Sequence, residues 1–144
     1  MLTRRDLMKT PMLLAGATLL SAMPADDWKD ADQIQPKDLA DRLAKGGTKP
    51  MILQVGFERN YRVKRIPGAI YAGPGNKPEG LDSLKRTVAS TPKDREIVLY
   101  CGCCPWVNCP NMKPAFALLR EAGFKNVKAL VIETNFGKDW IEKG

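Results

Sequence analysis

All four cysteines of the 144-residue chain fall within one stretch, YCGCCPWVNCPN, from Tyr100 to Asn111. Cys101 follows EIVLY, an apolar run of strand length, and the loop leads into MKPAFALLREAG, the strongest helical pattern in the chain. A thiol placed where a parallel strand ends and a helix begins lies among backbone N–H groups and the positive end of a helix dipole. Both favour the thiolate, the nucleophilic form. Cys101 is therefore the candidate catalytic residue. A buried structural cysteine is the plain alternative, but it gives no reason for Gly102, two prolines and three further cysteines.

Those further cysteines leave several chemistries open. Cys101 and Cys104 form a C-x-x-C pair, the arrangement of redox-active dithiols, so Cys104 is a candidate resolving thiol, with Cys103 and Cys109 behind it. Four thiolates could also hold zinc or an iron–sulfur cluster. The spacing is poor for that, because adjacent Cys103 and Cys104 point apart in most backbones and all four ligands would come from one loop. No resident metal or cofactor is expected, although transient Cu(I) binding stays open. An inactive domain whose loop is closed by two disulfides is the remaining reading. The chain has no histidine, which excludes His-based triads and His-ligated metals. Asn108 and Asn111, just ahead of the helix, are expected to cap it.

The rest of the chain reads as elements that would position this loop. Its length is that of one domain, and 44% hydrophobic residues suffice for a core without staples. The net charge of +7 is spread along the chain with no basic stripe, so nucleic acid is not an expected partner. At the N-terminus, TRRDLMK (Thr3 to Lys9) precedes the apolar run PMLLAGATLLSAM, which is shorter than the roughly 20 residues of a membrane span. It reads as a signal peptide over residues 1–25, and Arg4-Arg5 followed by Leu7-Met8-Lys9 resembles the twin-arginine pattern. The expected location is periplasmic, with membrane contact only during export. Residues 26–33, including Trp28, read as a disordered linker.

From there strands and helices alternate. PKDLADRLAKGG is a helix with Pro at its start and Gly at its end. MILQV, a brief run at Ala69 to Ala72, EIVLY and NVKALV are strands, with a helix at about Glu79 to Ala89 and a last short one in GKDWIEKG. Tyr61 and Arg62 fall on a loop. The pattern predicts an α/β fold, with a central parallel sheet and helices on both faces.

The order and spacing of these segments resemble the rhodanese-like domain, from about residue 34 to 144. IQPKDLADRLAKG is similar to that family's opening helix, MILQVGFERNYRVKRIPGAIYAG to its first buried strand and IPGA turn, and IVLYC to the strand that delivers the active cysteine. LLREAGFKNVKALV is similar to the following helix and strand, and Trp140 and Gly144 stand where the family often has Trp and Gly. The resemblance implies a sulfurtransferase: the Cys101 thiolate takes sulfane sulfur from a small donor such as thiosulfate or a polysulfide, holds it as a persulfide, and passes it to a thiol acceptor. The resemblance also implies that the backbone of Gly102, Cys103, Cys104, Pro105, Trp106 and Val107 forms the cradle for the anionic donor. A monomer is expected. The chain also departs from the family. Gln54 and Gly56 stand where many members have an acidic residue and an arginine, and Arg65 where a histidine often precedes the IPGA turn. The active loop is longer and carries no charge before Lys113, so Arg59, Arg62, Lys64 and Arg65 are the candidate sources of positive charge. The phosphatase branch has a long loop too, but it needs an arginine at the position held here by Val107.

Overall fold

In the computed structural model the described residues are 28–143 apart from 103 and 104, and of Val107 the backbone alone. The signal-peptide reading over 1–25 lies outside the described residues, as do Cys103 and Cys104. The apolar runs form the sheet. Strands β1 (Gln33–Ile34), β2 (Met51–Gln54), β3 (Ile70–Tyr71), β4 (Ile97–Tyr100) and β5 (Val127–Leu130) pair in parallel in the order β1-β5-β4-β2-β3. β4 is central, and all four of its residues are buried. Successive side chains of a strand face opposite sides, so burial of the whole strand means that both faces of the sheet are covered.

The connecting helices start where proline favours it or where apolar spacing demands it. α1 (Pro36–Ala44) and α3 (Pro78–Thr87) each have Pro in the first turn, where its missing N–H costs nothing. α4 (Met112–Glu121) buries Met112, Ala115 and Leu119, a single helical stripe, and packs on β4, β5 and α3. The chain ends with the short α5 (Phe136–Asp139) and one 3-10 turn. No helix among the described residues is long and apolar enough to cross a membrane.

Two local expectations are overturned. Residues Glu58–Val63, read as a loop containing Tyr61 and Arg62, form a short helix, α2, with no fully buried residue. Trp28, read as part of a disordered linker, packs with its ring centroid 5.1 Å from that of Trp106 and 4.8 Å from that of Phe116. The residues after it form a 3-10 turn and then β1, the sheet's edge strand beside β5. Burial of three aromatic rings against one another outweighs the polar character of the neighbouring DDWKDADQ segment.

Candidate active site

β4 delivers Cys101 to the carboxyl end of the sheet at its centre, with β2 on one side and β5 on the other. The last strand residue, Tyr100, is fully buried; its hydroxyl accepts from Ile66 N–H at 3.2 Å and its ring stacks on Phe136. Burial pushes the Tyr100 phenol up to about 12, so it is a neutral anchor for the strand end.

The backbone of the neighbouring strand comes unusually close. A Cβ at Gly56 would lie 2.1 Å from the Cys101 carbonyl oxygen and 3.1 Å from its sulfur, so no other residue fits there without moving the Cys101 segment. The Gly56 carbonyl accepts from the Tyr71 hydroxyl at 3.1 Å. Two residues earlier, the fully buried Gln54 donates through Nε2 to the Cys101 carbonyl at 3.1 Å, while its Oε1 is buried with no partner. The chain then turns at Gly102, whose φ of +81° favours glycine, and a Cβ there would meet Gln54 Nε2 at 2.9 Å. Gln54 and Gly56, two of the positions at which the sequence departs from the pattern it resembles, thus both lie against Cys101, whereas Arg65 does not.

Cys101 as a residue is 3% exposed, and its sulfur receives an N–H from Asn111 Nδ2 at 3.3 Å. Sequence reasoning missed this contact. Asn111 stands at the start of α4, where it was expected to cap the helix, yet it makes no side-chain cap hydrogen bond. Its side chain is turned inward instead: Oδ1 accepts from Asn76 N–H at 3.0 Å, and the same Nδ2 lies 3.8 Å from the sulfur of Cys109. The backbones pack closely beside it, since a Cβ at Gly75 would be 2.1 Å from the Asn111 carbonyl oxygen. Asn108, the other expected cap, is exposed within a 3-10 turn.

Of the residues read as an anion cradle, Gly102 adjoins the sulfur-bearing residue, but Pro105 has no N–H and is exposed. The Trp106 N–H is committed to the Ile132 carbonyl at 2.8 Å, so Trp106 is a buried wall of the loop. Asn108 and Cys109 donate back to Pro105 and Trp106. The basic candidates are all exposed: Arg62 pairs with Glu58 at 2.7 Å and Arg65 lies over the Tyr61 ring. Among the described residues no cluster of three or more His, Cys, Asp or Glu could hold a metal. A separate cavity of about 510 Å³ lies between the start of α1 and the chain's end, lined by Pro36, Lys37, Val131, Glu133 and Trp140. It includes neither Cys101 nor Asn111.

The same arrangement of strands recurs in known proteins. The BH2092 protein from Bacillus halodurans superposes with a TM-score of 0.61 at 26% identity, over 79% of this chain and 74% of that one. The Alr3790 protein from Anabaena gives 0.59 at 27% identity, over 77% and 78%. The single domain sulfurtransferase RDL2 of Saccharomyces cerevisiae gives 0.58 at 17% identity, over 81% and 93%, a likeness of fold. No curated protein matches the chain. The family model for the rhodanese-like domain matches residues 35–131, which run from α1 to just past β5 and include Cys101 and every strand but β1. The chain therefore belongs to the rhodanese-like domain family.

Proposed function

We propose that the protein is an exported sulfurtransferase that carries sulfane sulfur as a persulfide on Cys101. The observation that carries this is the Asn111 N–H on the Cys101 sulfur, at the carboxyl end of the central strand. A hydrogen bond donated to sulfur favours the thiolate over the thiol and stabilises the anionic persulfide in the same way. The thiolate attacks the outer sulfur of thiosulfate or a polysulfide. The donor's S–S bond breaks with its electron pair leaving on sulfite or the shortened polysulfide, and a thiol acceptor later removes the sulfur from Cys101 by the same displacement. Yeast RDL2 shows that a single domain of this fold can host sulfur transfer; for this chain the assignment rests on Cys101.

Brief exposure to thiosulfate or polysulfide, quenched with an alkylating agent, should show one added sulfur on Cys101 by mass spectrometry. Cys101→Ser should show none there and lose sulfur transfer to a thiol while staying folded. Sulfur found first on Cys103 or Cys104, with Cys101 bare, would overturn the reading. Export rests on residues 1–25: with Arg4 and Arg5 both changed to Lys the protein should stay in the cytoplasm, since twin-arginine recognition uses the guanidinium pair. Undiminished export of that variant removes the twin-arginine route.

A further inference from the structure

We infer that Cys109 is the resolving thiol of this site and that Asn111 is the residue that positions it against Cys101, so that the bound sulfur can be released as hydrosulfide. This deepens the persulfide reading and rests on it. Cys101 and Cys109 lie eight positions apart, beyond any local pairing, yet both residues are buried and neither sulfur is more than 3.8 Å from the same nitrogen. The loop is brought back by its own hydrogen bonds. Trp106 N–H is pinned to Ile132, Cys109 N–H closes the 3-10 turn onto Trp106, and the Cys109 carbonyl receives Met112 N–H as α4 begins. The orientation of the Asn111 amide follows from its other partner. Oδ1 must face the Asn76 N–H, because the flipped amide would set a donor against a donor, and so Nδ2 must face the sulfurs.

One donor shared by two sulfurs supports an anion on either. Negative charge can rest on Cys101 while it attacks the donor and on Cys109 while it attacks Cys101. In the second step the Cys109 sulfur bonds to the Cys101 sulfur, and the bond from Cys101 to the sulfane sulfur breaks. The electron pair and the Cys109 proton leave with that atom as hydrosulfide. The sulfane sulfur is reduced, the two cysteine sulfurs are oxidised to a disulfide, and a dithiol reductant resets the pair. Held in one loop, Cys109 meets Cys101 far more often than a free thiol in solution does.

The test is a single-turnover reaction of the reduced full chain with polysulfide, without added thiol. Wild type should release hydrosulfide in step with the appearance of a peptide linking Cys101 to Cys109. Cys109→Ser, and Cys109→Ala as a second variant, should instead accumulate alkylated persulfide on Cys101, with linked-pair formation abolished and hydrosulfide release slowed at least about tenfold. Asn111→Leu removes the donor at nearly the same volume and adds no charge, whereas Asn111→Asp would raise the midpoint by its own charge whatever the native role. Made in the Cys109→Ser background, so that Cys109 does not titrate alongside, Asn111→Leu should move the pH midpoint of sulfur loading on Cys101 upward by about one unit or more. A purely structural asparagine would leave that midpoint in place, and an unmoved midpoint overturns the role given to Asn111. A link from Cys101 to Cys103 or Cys104, or unchanged release in both Cys109 variants, overturns the role of Cys109 while the persulfide reading stands. Absence of sulfur on Cys101 in every variant overturns both.

Discussion

The two ends of the central strand β4 solve the same problem in opposite ways. At its start, Glu96 receives the Arg42 guanidinium through both carboxylate oxygens, with Lys128 at 3.7 Å, in a place that water reaches. The Arg42 and Glu96 side chains keep 37% and 24% of their exposure. At its far end, Cys101 meets the neutral amides of Gln54 and Asn111, both fully buried. Ion pairs are tolerated where solvation is kept, and neutral dipoles are used where it is lost, because burying an unneutralised charge costs far more than burying an amide. The lesson is that the polar groups at the first end are replaceable, and those at the second are held by geometry that admits little change.

The sharpest way to break this contrast is Gly56→Ala. Its methyl group would overlap the Cys101 carbonyl, so the strand ends must separate; we expect a loss of about 3 kcal/mol or more, or failure to fold, read from chemical denaturation. Near-wild-type stability would mean that the two strands do not approach as described. Gln54→Ala should cost less, about 2 kcal/mol, from a cavity and the lost donor to Cys101. Gln54→Met should recover more than half of that, since it refills the volume and removes the partnerless Oε1. If Met were no better than Ala, the hydrogen bond rather than the volume would be what matters at this end.

The smallest effect belongs to the other end. Arg42→Ala should cost about 1 kcal/mol or less, because the pair is partly solvated. Its pH dependence carries the sign. The Arg42 hydrogen bond holds the Glu96 carboxyl below its ordinary 4.5, against the opposing effect of burial. A depressed carboxyl stabilises the fold above that ordinary value and loses the contribution as pH falls through the lower, folded one. The gap between wild-type and Arg42→Ala denaturation midpoints should therefore be steady near neutrality and close on acidification below about 4.5. A gap independent of acid would show that Arg42 acts through packing of its stem.

What could be read from the sequence follows the same division. β2, β4, α1, α3 and α4 were legible within a residue or two, because apolar runs, proline at helix starts and a buried stripe are local signals. α2 was not, since it buries no side chain fully and leaves Val63 74% exposed, so it has no apolar period to detect. The position of Cys101, just past the end of a central strand, was legible from strand, loop and helix order. Asn111 was not, because an asparagine ahead of a helix looks like a cap, and the N–H that its side chain accepts belongs to Asn76, 35 positions away in the chain. Gln54 and Gly56 were visible as departures from the family pattern, but their meaning depends on which strands are neighbours. The seat of Trp28 was hidden for the same reason.

That seat has an optical consequence. Two indole rings with centroids 5.1 Å apart and planes inclined at 55° are close enough to couple their electronic transitions. Coupled transitions give a paired positive and negative band in circular dichroism, which a lone indole does not show. Since one ring comes from the segment ahead of β1 and the other from the wall of the cysteine loop, the band reports on their docking directly. It would be present while Trp28 is seated and absent when the segment lifts away. The protein thus carries an intrinsic, label-free signal for the docking of this segment on its cysteine loop.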